Sequence, residues 1–333
     1  MAHRRADGAA PTSGGGPNCE EALPVPPEAP DEEAHNVEIL DADAGGRLDR
    51  ALADHLGISR ARVRHLLEVG RISVGGQPLQ LSDKSRAVAA GEQYAVDGAL
   101  EAGTEVPTAR PDLSLEIVAE GEGWVCVDKP AGCGVHPLRP DQDDTVLNAL
   151  VARVPRIVGV GEAGLRSGVV HRLDVGTTGA LLFATEEESW RRLRGAFSAH
   201  RLDKRYRALV AGRFEERARV DLSLAITRHQ PAHVAVRDDG RPTRQRVTPI
   251  EVFEDATLVE VRLETGFLHQ IRASMGHVGH PLIGDAEYGG PTPDFAPRPM
   301  LHAGSLRFEE IDVAVAPPPD FEEATEALRR ASH

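Results

Sequence analysis

Asp174 stands between a basic pair and a glycine-threonine turn, in the run HRLDVGTTGALLFA from His171 to Ala184. Two roles are open to a carboxylate so placed. Its oxygens can cap the turn Gly176-Thr177-Thr178-Gly179, because a short acidic side chain bonds nearby amides. Alternatively the turn displays it at the mouth of the apolar strand Ala180–Ala184, as nucleophile or base. In either case Gly176 and Gly179 are expected to bend the backbone sharply. Other groups bear on the choice. Arg172 is close in sequence, Lys204-Arg205-Tyr206 heads a second strand, and Arg272 ends the run His269-Gln270-Ile271-Arg272. A carboxylate paired with a buried arginine stays ionised and ready for either chemistry. An aromatic ring beside it could stack a nucleobase.

Other chemistries find weaker support. Gly159–Gly164 reads GVGEAG, the spacing of a dinucleotide loop, but the following LRSGVVHRLD offers no helix to receive a pyrophosphate. His269, His277 and His280 lack a convincing further ligand, so no metal is expected. There is no G-x-S-x-G elbow for a serine nucleophile. A glycoside hydrolase would need a second carboxylate at a defined separation, and none stands out beside Asp174. Cys19, Cys126 and Cys133 form no C-x-x-C pair, which disfavours a disulfide framework or zinc ribbon and fits a reducing cytoplasm.

The elements that must position these groups follow from pattern. A hydrophobic content of 41% implies a packed core. No apolar run reaches the roughly 20 residues of a membrane span, and there is no signal-peptide h-region. The formal charge of −14 opposes a nucleic-acid partner if taken alone. Much of it is local, however. Residues 1–36 set seven carboxylates against Arg4 and Arg5 and read as a disordered acidic tail. Residues 37–97 form a small unit with two amphipathic helices and a Gly75-Gly76 hairpin, with Ser59 as an N-cap and Gly70 as a C-cap. Arg60, Arg64 and Arg71 fall on one expected face, either a phosphate-gripping stripe or a solvated surface. Residues 98–112 read as a linker, 113–315 as the main domain and 316–333 as a C-terminal tail with one short helix. Hairpin-like strand pairs favour an α+β fold with a largely antiparallel sheet.

In order along the chain, VDKPAGCGVHP (127–137), TVLNAL (145–150), SGVVHRLDVGTTGALLFA (167–184), KRYRALVAG (204–212), TGFLHQIRASMGHVGHPLIGDAEYG (265–289) and MLHAGSLRF (300–308) resemble the RluA family of pseudouridine synthases. Residues 47–76 are similar to the S-four-type RNA-binding domain that often precedes the catalytic domain in ribosomal-RNA-modifying members. The resemblance implies a pseudouridine synthase fold. It implies an isomerase that converts uridine to pseudouridine in structured RNA, with 23S ribosomal RNA favoured. It makes Asp174 the catalytic aspartate, Tyr206 the tyrosine packed on the target base and Arg272 the partner of the aspartate. Arg172, Lys204 and His269 become substrate contacts, and Arg60, Arg64 and Arg71 RNA contacts. No cofactor is implied, since the isomerisation is redox-neutral. The expected partner is ribosomal RNA or an assembly intermediate, met by a cytoplasmic monomer without membrane attachment. The chain departs from the family at Val175-Gly176, where Lys-Asp is commoner, and at Phe267-Leu268, where Arg-Thr is commoner. Non-catalytic RNA binding and glycoside hydrolysis are the competing readings.

Overall fold

The computed structural model describes residues 35–38, 45–56, 60–97, 106–162, 164–229 and 231–332. The expected acidic tail lies outside these residues, except that His35 and Asn36 open a strand. Most of the expected linker, Gly57 and Ser59 also lie outside them. No helix among the described residues is long and apolar enough to cross a membrane.

Residues 35–97 build one small core. Helices α1 (Leu48–Leu56) and α2 (Arg60–Glu68) accompany strands β1 (His35–Glu38), β2 (Ile72–Val74), β3 (Gln77–Pro78) and β4 (Gln93–Val96). The strands run in the order β1-β4-β2-β3, with every pairing antiparallel. Leu48, Leu52, Val63, Leu66, Ile72 and Tyr94 fill the interior. Gly75 and Gly76 both take positive φ, +56° and +76°, as a tight hairpin with right-twisted strands demands.

The arginine stripe needs correction. Asp49 on α1 is fully buried and accepts from Arg47 Nε at 3.0 Å and Arg64 Nη2 at 2.8 Å. A buried carboxylate requires such partners, so Arg64 is engaged within the unit. Helix α2 stops at Glu68, and Gly70 at φ +71° turns the chain toward β2. Arg71 therefore does not continue the helix face. The side chain of Arg60 lies outside the described residues.

The main domain is a ten-stranded sheet. Its strands are β5 (Glu116–Gly121), β6 (Trp124–Lys129), β7 (Thr178–Ala184), β8 (Asp203–Ala211), β9 (Ala218–His229), β10 (Ala232–Val236), β11 (Arg241–Val252), β12 (Ala256–Leu263), β13 (Leu301–Phe308) and β14 (Ile311–Ala314). The order is β10-β9-β11-β12-β8-β13-β7-β6-β5, with β14 on β13. Only β13 and β7 pair in parallel. This is the expected α+β, largely antiparallel mixed sheet.

Strand β7 is buried along its whole length, because both faces of the sheet are covered there. Cys126, Leu182 and Ala184 pack with Leu193 of α4 (Glu187–Ser198), whereas Val127, Leu181 and Phe183 pack with Leu147 and Leu150 of α3 (Val146–Arg153). The two-residue period of a strand sends alternate side chains to opposite layers. Farther along the sheet, Tyr206, Ala208 and Val210 of β8 pack with Ile271 and Met275 of α5 (Gln270–His277).

The C-terminal segment is more than a tail. Helix α6 (Pro319–Ala331) buries Phe321 and Ala324 against Leu209, Phe253, Ile283 and Met300. Phe321 is 1% exposed. Phe321→Ala should therefore lower unfolding free energy by about 3–5 kcal/mol, the usual cost of a core aromatic truncation. Urea unfolding of the full chain checks this, and a change below about 0.5 kcal/mol would mark a loosely attached helix.

Candidate active site

Strand order brings distant segments together. Ala303 of β13 pairs with Gly179 of β7 on one side and Tyr206 of β8 on the other. The turn before β7 therefore lies beside Tyr206. Gly179 takes φ +107°, and a Cβ there would sit 2.3 Å from the Ala303 carbonyl oxygen. Only glycine permits that approach. Gly176, expected to share this role, does not adopt positive φ. A Cβ at 176 would instead sit 3.3 Å from Pro299 Cδ, so the commoner aspartate would press on that loop.

The turn is closed by backbone, with Thr177 N–H donating to the Asp174 carbonyl at 3.0 Å. The Asp174 carboxylate is thereby left to face a cleft lined by Arg172, Thr177, Tyr206, Phe267, His269 and Arg272, among others. Arg272 Nη1 lies 3.5 Å from Asp174 Oδ2, and His269 Nε2 lies 4.0 Å from Oδ1.

Arg272 is a shared charge. Its Nε donates to Asp285 at 2.7 Å, and its Nη2 donates to Asp285 at 2.8 Å and Glu287 at 3.0 Å. Its guanidinium also lies over the Tyr288 ring at 4.9 Å. Burial works against the charge, but the Asp285 bonds and the neighbouring carboxylates outweigh it and raise the pKa. Asp285 and Glu287 are thus bound to Arg272, and neither is free to serve as a glycosidase acid.

His269 caps α5 from a left-handed conformation, φ +50°. Its Nδ1 is 2.8 Å from Tyr288 Oη. Burial holds its pKa below the usual histidine value, despite the nearby Asp174 charge. Burial, and then the Asp174 charge, push the Tyr206 phenol well above its ordinary range. Arg172 is exposed at the cleft and has no ion-pair partner among the described residues.

Other candidates lie behind the cleft. Lys204 is 8% exposed, with Nζ 3.4 Å from the Thr265 carbonyl oxygen and 6.0 Å from the Phe197 ring centroid. It does not line the cleft, and it has no carboxylate partner among the described residues. Burial pushes its pKa down to about 8. The His171 ring stacks on Phe197 at 4.5 Å and accepts the Leu182 amide at 2.9 Å through Nε2. Burial pushes its pKa down to about 3, consistent with a neutral acceptor. It fixes the loop from inside.

Sequence reasoning missed several functional neighbours. Lys129 is fully buried and donates to the carbonyls of Pro130, Val175 and Thr177 at 2.8, 3.0 and 2.9 Å. Nothing in its local pattern distinguishes it from a strand-end surface lysine. Asp285 and Glu287 were hidden in GDAEYG, since their use depends on Arg272 folding back to them. Phe267, noted only as a loss of charge, lines the cleft as an apolar ring.

Residues 123–277 match the model of the RNA pseudouridylate synthase family. The chain is 34% identical over 312 residues to the ribosomal large subunit pseudouridine synthase D of Vibrio vulnificus, covering 88% of this chain and 94% of that protein. The chain belongs to the RNA pseudouridylate synthase family. It is an isomerase acting on RNA, as the resemblance implied. A relative of the same name from Pseudomonas aeruginosa is 36% identical over 285 residues, covering 80% and 84% of the two chains. Among solved structures, human RNA pseudouridylate synthase domain containing 1 shares the synthase fold. It has a TM-score of 0.51 and 24% identity, over 65% of this chain and 95% of that one.

Lys204 makes a sign-definite prediction for this synthase. Its folded pKa of about 8 lies below the ordinary 10.5. Between those values the unfolded chain binds more protons, so stability rises with pH across that window. Below pH 8 the buried charge is a standing cost. Lys204→Met should stabilise the protein at pH 7 by roughly 1–3 kcal/mol. The gain should shrink as pH rises from 8 toward 10.5. Urea unfolding of both proteins across that range measures it, and a variant less stable than wild type at pH 7 would show that the charge is compensated.

Proposed function

We propose that the enzyme isomerises a uridine of large-subunit ribosomal RNA, with Asp174 as the reacting carboxylate. The observation that carries this reading is the Asp174 carboxylate itself. It faces a cleft, lies 3.5 Å from the Arg272 guanidinium and has Tyr206 on the same cleft wall. The ribosomal target rests on the names of the relatives from Vibrio vulnificus and Pseudomonas aeruginosa.

The chemistry asked of the site is modest in its parts. A uridine in structured RNA must first leave its stack. The bond between uracil N1 and the ribose then breaks, the base turns, and C5 joins the sugar; the C5 proton is lost to solvent and N1 takes up a proton. Asp174 acts as nucleophile at the sugar or as base toward it, and Arg272 supplies a fixed counter-charge that aligns it. The Tyr206 hydroxyl makes no hydrogen bond within the described residues and stays protonated, which supports a ring that packs on the uracil and donates its hydroxyl. Its raised pKa argues against a resting phenolate base. Arg172, exposed at the cleft without an ion-pair partner among the described residues, meets a phosphate. His269 is a neutral contact to the nucleotide, and Lys204 supports the strand behind Tyr206 more than it touches RNA.

Residues 37–97 serve as an S-four-type RNA-binding unit. Residues 113–331, helix α6 included, form the catalytic domain, and the enzyme acts as a cytoplasmic monomer.

Ribosomal RNA labelled with tritium at uracil C5 tests the assignment. Wild type should release tritium, and Asp174→Asn should lower the rate by about 10³-fold or more. RNA binding with no release by wild type would favour a non-catalytic binder. Equal release by both proteins would remove Asp174 from the chemistry.

A further inference from the structure

The Asp174 turn is tied to the C-terminal helix by two separate relays. The first runs through Arg298, which is 8% exposed. Its Nη1 donates to the Gly176 carbonyl at 3.0 Å and to those of Pro299 and Leu301 at 3.2 and 3.3 Å. The rest of the guanidinium is clamped by Asp320 in the first turn of α6, Nε to Oδ2 at 2.6 Å and Nη2 to Oδ1 at 2.9 Å. The second relay runs through His302, which is fully buried. Its Nε2 lies 3.0 Å from the Val315 carbonyl, which can only accept, so Nε2 carries the proton. Its Nδ1 is then the acceptor for the Thr178 hydroxyl at 2.9 Å. The Phe321 ring of α6 lies 6.4 Å from the His302 ring.

From these contacts we infer that Arg298 and Asp320 are positioning residues for the Asp174 turn, and that α6 anchors that turn through Asp320. A guanidinium can face three carbonyls and a carboxylate at once because its donors lie in a fixed planar fork. Held by Asp320, the fork cannot swing, and the Gly176 carbonyl is fixed to a rigid helix. Gly176 is only two residues from Asp174, so a rotation there moves the carboxylate relative to Arg272 and the nucleotide. Small displacements of a reacting group cost rate steeply, while RNA affinity, spread over the surface, is little changed.

The inference rests on the synthase reading for its rate measurement, but amide exchange gives a second readout that does not. Helix α6 has another ion pair, Arg329 to Glu251 at 2.8 Å, with no link to the turn. Arg329→Ala therefore serves as the control for helix docking alone. Under single-turnover conditions with labelled RNA, Asp320→Asn and Arg298→Lys should each slow tritium release about tenfold or more. RNA affinity should stay within about twofold of wild type. Asp320→Glu, which keeps the carboxylate, should recover part of the rate, and Arg329→Ala should stay near wild type. In the same proteins the Thr177 amide, bonded to the Asp174 carbonyl, should exchange faster in Asp320→Asn than in Arg329→Ala. Rates and exchange in Asp320→Asn that match Arg329→Ala would overturn the inference. Should wild type release no tritium, the synthase assignment fails and exchange decides alone. Faster exchange at Thr177 in Asp320→Asn then sustains the coupling, and unchanged exchange overturns it.

Discussion

The carbonyls of three consecutive residues, Val175, Gly176 and Thr177, point into two buried cations. Lys129 takes the outer two and Arg298 the middle one. A buried carbonyl without a donor costs about 1–3 kcal/mol, and a buried cation without acceptors costs more. Each set of groups therefore satisfies the other, and both are lost if the turn moves. The arrangement fixes the residues that follow Asp174 while leaving its carboxylate free of the turn's amides. It also explains why a lysine and an arginine can sit deep in the domain: Lys129 is matched by carbonyls, and Arg298 by carbonyls and Asp320.

Arg272 organises the opposite wall by a different principle. It is held bidentately by Asp285 and again by Glu287, so its position does not depend on Asp174. Asp174 then meets a cation that is already in place, at ion-pair distance without a short hydrogen bond. A carboxylate so placed faces a fixed counter-charge yet is not consumed by a hydrogen bond to it. The neutral groups of the cleft, Tyr206 and His269, are kept neutral by burial, so the charge of the site is concentrated on Asp174 and the arginines.

The strongly negative chain and its RNA substrate are reconciled locally. Many surface arginines spend their charge on neighbouring acids, as Arg205 does on Asp203 and Arg262 does on the same carboxylate. Arg172, at the cleft, pairs with no acid among the described residues. Opposite charges paired on the surface contribute little to stability or to the field at a distance. A cation such as Arg172 beside the site therefore matters more than the overall total.

Much of this was legible along the chain. Period-two and helical patterns gave the strands and helices around the site, because burial on one or both faces writes itself into local sequence. The ordered motifs named Asp174, Tyr206 and Arg272, which the fold does bring to one cleft. Lys129, Arg298, Asp285 and Asp320 were not legible, since a lysine or aspartate has the same local pattern whether solvated or buried against a distant carbonyl. The pairing of Arg64 was hidden for the same reason: spacing cannot foresee that Asp49 captures it. The last 18 residues read as a tail because prolines and acids dominate them, yet Phe321 buries there. Sequence alone thus determined the kinds of element and the candidate site residues. Tertiary structure decided which charges are spent on holding the turn and which remain for the substrate, because pairing is a matter of distance in space and only the packed sheet sets it.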